Sequence, residues 1–163
     1  MKRIAGAAIA AAVVAGAVVV ATAGGQAPPQ GQTITVRELQ RSGTFSLVDN
    51  PPRGPRPNRP KVSPGDFFVI SSPLADTTGK RVGRLDVQCA ITAGRNFNKV
   101  PQICHGAVTL PDGLITLETA LVGQRKTVHA AITGGTGTYA GARGQVTSVN
   151  DRTGATDTIQ LLP

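Results

Sequence analysis

Five acidic side chains fall within segments that read as β-strand: Glu38, Asp66, Asp86, Glu118 and Asp157. A strand carboxyl becomes a proton donor near neutral pH when its face turns into an apolar interior, because burial disfavours the charged form. Glu118 shares a face with Leu114, Thr116 and Ala120, while the opposite face carries Ile115, Leu117 and Leu121. Turned inward, Glu118 is a general acid. The more apolar opposite face favours the other arrangement, with Glu118 in solvent. Arg84 and Asp86 stand two residues apart on one strand face, the spacing of a surface ion pair contributing less than about 1 kcal/mol. His105 and His129 gain no partner by spacing, and without a Gly-x-Ser-x-Gly element nothing supports a hydrolase triad.

Two cysteines, Cys89 and Cys104, complete the reactive inventory. In an exported chain an even number of cysteines most simply pairs. A metal site would need Cys104 and His105 to converge with Cys89 and His129, but neighbours on a strand point to opposite faces. The strand around Cys89 has Leu85, Val87, Cys89 and Ile91 on one face and Arg84, Asp86 and Gln88 on the other. An antiparallel return from Gln102 brings Cys104 opposite Cys89, within reach of a cross-strand disulfide.

The stretch Gly135-x-Gly137-x-x-Ala140 imitates a dinucleotide-binding turn. Too few residues follow it to supply the helix and parallel strands of that fold, and the Lys-Ser/Thr of a phosphate-binding loop is missing. No cofactor is expected.

These residues sit in a series of short runs rich in Val, Ile, Thr, Leu and Phe, separated by Gly, Pro, Asp and Asn turns. The runs predict strands near Thr33–Leu39, Thr44–Val48, Asp66–Ser72, Arg81–Thr92, Gln102–Leu110, Leu114–Val122, Thr127–Thr133, Gly144–Asn150 and Ala155–Leu162. Pro111-Asp112-Gly113 forms a tight hairpin between two of them. Helix signals are nearly absent, so the domain is an all-β sandwich or a closed barrel, and pattern alone does not choose.

The chain opens with Met1-Lys2-Arg3, an apolar run from Ile4 to Val20 and the small residues Ala21-Thr22-Ala23. These are the three parts of a secretory signal peptide, with cleavage expected after Ala23, or after Ala27 as the alternative. A run of Ala, Val and Gly without a basic stop-transfer flank argues against a lasting membrane span. The expected organisation is a signal peptide at 1–23, a flexible Gly, Gln and Pro leader at 24–32, and one domain at 33–163. The expected location is extracellular, from a bacterial cell.

Processing leaves 15 basic against 9 acidic side chains. That balance favours anionic partners such as a surface polymer, a statement about association and not about fold. Within 51–61, five prolines are interspersed with Arg53, Arg56, Arg59 and Lys61, giving a stiff basic loop that cannot be a central strand. No aromatic residues interleave to stack on bases, which speaks against specific nucleic-acid binding.

From about Thr33 to Leu161 the chain resembles the allene oxide cyclase and dirigent superfamily. The likeness rests on Gly65-Asp66, Lys80-Arg81-Val82-Gly83-Arg84, the Cys89 strand, Asp112-Gly113 and Thr133-Gly134-Gly135-Thr136-Gly137-x-Tyr139-x-Gly141-Ala142-x-Gly144-Gln145-Val146. The resemblance implies an eight-stranded antiparallel β-barrel with a lumen for a small apolar ligand, often assembled as a homotrimer. It implies a cyclase- or isomerase-like steering of that ligand, while the alternative is a non-enzymatic extracellular binding protein using the basic loop. At the plant cyclases' catalytic positions this chain carries Thr35, Arg37 and Ser72, and the acidic position that follows Gly-Gly-Thr-Gly in several dirigent proteins is Thr138. A pocket is therefore better supported than the plant reaction. The ligand-binding candidates are Arg84, Asp86, Glu118 and Tyr139.

Overall fold

A computed structural model describes residues 31–50 and 62–163. The expected signal peptide, most of the leader and the basic loop with Arg53, Arg56, Arg59 and Lys61 lie outside the described residues. Nine strands follow in order: β1 (Thr33–Glu38), β2 (Thr44–Val48), β3 (Phe67–Ala75), β4 (Arg81–Ile91), β5 (Pro101–Leu110), β6 (Gly113–Val122), β7 (Thr127–Gly137), β8 (Gly144–Asn150) and β9 (Ala155–Leu161). All neighbouring pairs are antiparallel. The order β1-β9-β8-β7-β6-β5-β4-β3-β2 closes on itself because β1 also pairs with β3.

Nine strands make an eight-position barrel because β1 and β2 share one position. Both lie along the same edge of β3, β1 against Leu74 and Ala75 and β2 against Phe67 to Ser71. A single 3-10 turn, Gln40–Ser42, separates them. The break has a local cause in Pro73, which lies beyond the strand end expected at Ser72. Its carbonyl accepts from Leu39 N at 2.9 Å, so that side of the residue faces the β1–β2 edge. A strand residue presents its N–H and C=O to the same side, and Pro73 has no N–H to give. The ladder is interrupted there, and the chain uses the gap to turn.

Inside the barrel, alternate residues face the lumen. One half of the lumen is filled by Val36, Leu74, Val108, Ile115, Ile132 and Ile159, with their neighbours. This is the end bearing the Pro111-Asp112-Gly113 hairpin, where Gly113 takes φ +150°. Tyr139, in the turn between β7 and β8, plugs that end and is 6% exposed.

The Gly-rich stretch is the seat of the plug. A register shift in β7 opposite Thr116 and Leu117 accommodates one extra residue, a β-bulge. Beyond it Gly135 pairs with Ile115 and lies under Tyr139. A Cβ at Gly135 would run into the carbonyl oxygens of Tyr139 and Leu114, the latter at 2.6 Å. At Gly134 the nearest neighbour would be Thr116 Oγ1 at 3.4 Å, ordinary contact.

Gly135→Ala should therefore destabilise the fold by about 2 kcal/mol or more, because backbone must move to admit the methyl group. Gly134→Ala should stay within about 0.5 kcal/mol of the parent, as substitutions without a steric penalty usually do. Urea unfolding of the two variants checks the contrast.

Candidate functional site

Above the packed half the lumen opens into a cavity of about 640 Å³. Its apolar wall includes Ile70, Leu85, Val87, Val108, Leu121 and Val128. Leu85 and Val108 also belong to the packed cluster, so the cavity floor is the top of the core. The rim is formed by Phe45 of β2, Phe97 of the β4–β5 connection, and Gly123, Gln124 and Arg125 of the β6–β7 connection. Phe45, Phe68 and Phe97 pack on one another with ring centroids 5.3 to 6.1 Å apart. Three of the chain's four phenylalanines thus gather at one side of the opening.

Cys89 and Cys104 form a disulfide directly across β4 and β5, with Cα atoms 4.0 Å apart. Both are buried, line the cavity and pack with Phe68. The bridge clamps two wall strands at the level of the aromatic cluster, as the strand alternation predicts.

The carboxyls of the lumen lie at its floor, while Gln102 and Asn150 add neutral polar groups higher on the wall. Glu38, the last residue of β1, and Asp157 of β9 both line the cavity, 7% and 2% exposed. Their placement follows from strand parity: Glu38 continues the inward face of Ile34 and Val36, and Asp157 lies between Ala155 and Ile159. β1 and β9 pair with Val36 opposite Asp157, which brings the two acids together on the lumen side. Ser148 stands opposite Asp157 in the β8–β9 register, and Ser72 of β3 and Gln40 of the 3-10 turn reach Glu38.

Burial pushes the Glu38 carboxyl up to about 7, with the nearby Asp157 charge adding to the effect; hydrogen bonds from Gln40 and Ser72 oppose it. Burial also raises Asp157, against hydrogen bonds from Ser148 and Glu38. The two carboxyls interact directly and titrate as a pair, with burial holding both above the ordinary carboxylate range. The site therefore places two carboxyls with raised pKa side by side in a largely apolar cavity.

The four ligand-binding candidates expected from sequence do not come together in this cavity. Arg84 and Asp86 lie on the outer face, joined by an ion pair at 2.8 Å with exposed side chains. The alternation that turns Leu85 and Val87 inward turns them outward. Glu118 borders the cavity but is exposed, on the strand face opposite Leu117 and Leu121, and its cross-strand neighbour is His105. Tyr139 is in the plug at the packed end. Asp66 is structural: its Oδ2 accepts from Ser63 N at 2.8 Å and its Oδ1 from Asn50 N at 3.0 Å, tying together the two sides of the basic segment. The pair that sequence reasoning missed, Glu38 and Asp157, carried a usable signal, since each interrupts an otherwise apolar alternate series.

Both raised carboxyls bind protons more tightly folded than unfolded. Stability from this pair is fully present below about pH 4.5, the ordinary range of a free Glu, and is lost as pH rises through about 7. The loss should be on the order of 3 kcal/mol. Chemical unfolding across that pH window should show stability falling for the parent, with a clearly flatter profile for Glu38→Gln.

Comparison with known proteins bears on this architecture. Residues 49–159 match the family described as the allene oxide cyclase barrel like domain. Among solved structures, a pyocyanin demethylase aligns over 79% of this chain and 99% of its own, at 23% identity and TM-score 0.60. AbnU, an exo-specific intermolecular Diels-Alderase, aligns over 81% of this chain and 98% of its own, at 16% identity and TM-score 0.57. The Diels-Alderase AbmU from Streptomyces koyangensis aligns over 83% of this chain and 70% of its own, at 17% identity and TM-score 0.60. At these identities the likeness is one of fold. No curated protein sequence matches the chain.

Proposed function

The chain belongs to the allene oxide cyclase barrel-like family, and from that premise we propose that it binds a small, largely apolar molecule in its lumen and promotes a cyclisation or isomerisation of it. The observation that carries the reading is the pair of buried carboxyls, Glu38 and Asp157, lining the floor of a largely apolar cavity, with burial raising both. Two contributions to rate follow from that geometry. The walls hold a flexible substrate folded, so that its reacting atoms already lie close together, which removes much of the entropic barrier to ring formation. Glu38 delivers its proton to an oxygen or a π-bond that gains negative charge or basicity as the ring closes, and Asp157 stabilises the proton's return. Few titratable groups are needed for such a reaction, and the lumen has few. That related barrels include Diels-Alderases supports the class of reaction, not a particular substrate.

Export to the cell exterior is part of the same proposal. Its support is the charged, apolar and small-residue pattern of residues 1–23 and the Cys89–Cys104 disulfide, which forms readily in an oxidising compartment.

The test begins with native mass spectrometry of the protein purified from its own culture medium. One retained small molecule per chain is expected, displaced when Val87→Trp fills the lumen; a chain that never retains one under these conditions removes the reading. With the open-chain precursor of that molecule as substrate, Glu38→Gln should lower kcat by about 100-fold or more, the usual range for loss of a general acid, with little change in binding. An unchanged kcat would take the proton out of the mechanism.

A further inference from the structure

The two floor acids do not satisfy each other completely. Glu38 is engaged by Gln40, Ser72 and Asp157. Asp157 takes hydrogen bonds from Ser148 and Glu38, yet its Oδ1 is buried and has no hydrogen-bond partner among the described residues. A buried carboxylate oxygen without a donor is destabilising, and native proteins rarely leave one so unless something else occupies the position. No lysine or arginine is among the groups acting on Asp157. The missing partner is therefore both a donor and, best, a positive one.

The cavity supplies the route to it. Asp157 is a lining residue of the floor, and its side chain is held through Ser148 and Glu38 on the strands to either side. Rotation about χ2 of an aspartate is soft, so the carboxylate can adjust toward a donor in the cavity without moving backbone. Above it the wall is mainly apolar, with Asn150 and Gln102 among its polar lining residues, as far as Phe68, the disulfide and the rim.

We propose that the molecule taken by this lumen ends in a hydrogen-bond donor, a hydroxyl or a protonated amine, that seats on Asp157 Oδ1 while its apolar body lies against Ile70, Val87 and Leu121. The inference rests on the lumen-binding reading above and adds the orientation: donor head down on the floor, apolar body toward the aromatic rim. Specificity then comes from the mismatch a wrong ligand leaves. A hydrocarbon of the same shape fills the cavity but leaves Oδ1 unpaired, whereas a donor head removes that defect.

Three nearly isosteric probes separate head from body: 2-ethylnaphthalene, 2-naphthalenemethanol and 2-naphthalenemethylamine, titrated into the full chain by fluorescence at about pH 7.5, where the amine is protonated. At least one donor probe should bind roughly tenfold or more tighter than the hydrocarbon. An advantage for the amine identifies a cationic head, and an advantage for the alcohol a neutral one. In Asp157→Leu the hydrocarbon should keep its affinity within about threefold while the donors lose their lead. Equal affinity for all three in the unsubstituted protein overturns the inference, whether or not the variant folds. A donor lead that survives in folded Asp157→Leu overturns it too. If none of the three binds, the apolar lumen reading fails instead.

Discussion

Two residue pairs close the barrel. Arg37 against Ala75 and Glu38 against Leu74 are the only register positions at which the first strand meets the third, and without them the sheet is open, with a lumen that water enters from the side. The seam is short because Pro73 cannot donate to the ladder, and the chain leaves β3 there before returning as β2. The shortness matters for position. Glu38 ends β1 within the seam, paired on its other flank with Ala155 of β9, so its backbone is fixed from both sides at the point where its carboxyl enters the lumen. Gly154 keeps this crowded corner possible, since a Cβ there would collide with the Glu38 carbonyl oxygen. Outside the same seam, Arg37 is anchored to Thr156 at 3.0 Å and to Asp151 at 2.7 Å. Neighbouring residues of one strand thus serve closure on the outside and place a carboxyl in the lumen on the inside.

Placing two carboxyls in an apolar interior works against stability, and well-packed hydrophobic residues in their place would often do as well or better. Below about pH 7 the barrel tolerates them because one proton stays between them, so that the pair carries at most a single charge, and because Ser72, Ser148 and Gln40 supply hydrogen bonds from three different elements. The apolar half beneath, sealed by Tyr139 over Gly135, supplies the rigidity that holds the pair in register. Packing and open space are in this way assigned to different halves of one lumen, with the boundary at the floor of the cavity.

Much of this architecture is legible in the residues. Each of the nine strands coincides with a Val-, Ile- and Thr-rich run, because turn residues punctuate the chain so regularly; the apolar series Leu85, Val87, Cys89 and Ile91 follows from alternation, and the disulfide from an even cysteine count in a chain read as exported, with alternation in support. The eight-position barrel could be read only through the family likeness, since period-two patterning is the same in a sandwich. Three features escaped. β7 continues past its expected end at Thr133 through the bulge to Gly137, because β6 pairs with the glycine-rich stretch that reads as a loop. β3 runs through Pro73, which a propensity reading ends at Ser72, because a proline is tolerated where its neighbour on that side leaves the sheet. The acids Glu38 and Asp157 are visible in the sequence as strand acids, but their convergence depends on a pairing between the first and last strands that no local spacing reports. Arg84 and Asp86 stand out because they are close in sequence, and closeness by two along a strand selects a shared face without saying which face it is.

The aromatic rim and the packed plug together give the lumen a direction. Whatever enters past Phe45 and Phe97 meets the floor acids and the packed core beneath them, which Tyr139 seals at the far end, and finds no exit there. Under the proposed function, a molecule that has reacted backs out through the opening by which it came. Occupancy is then exclusive: the next molecule waits on the departure of the last, and a product that keeps the shape of its precursor competes with it for the same doorway. On that proposal the pace of the cycle is set as much by emptying as by chemistry.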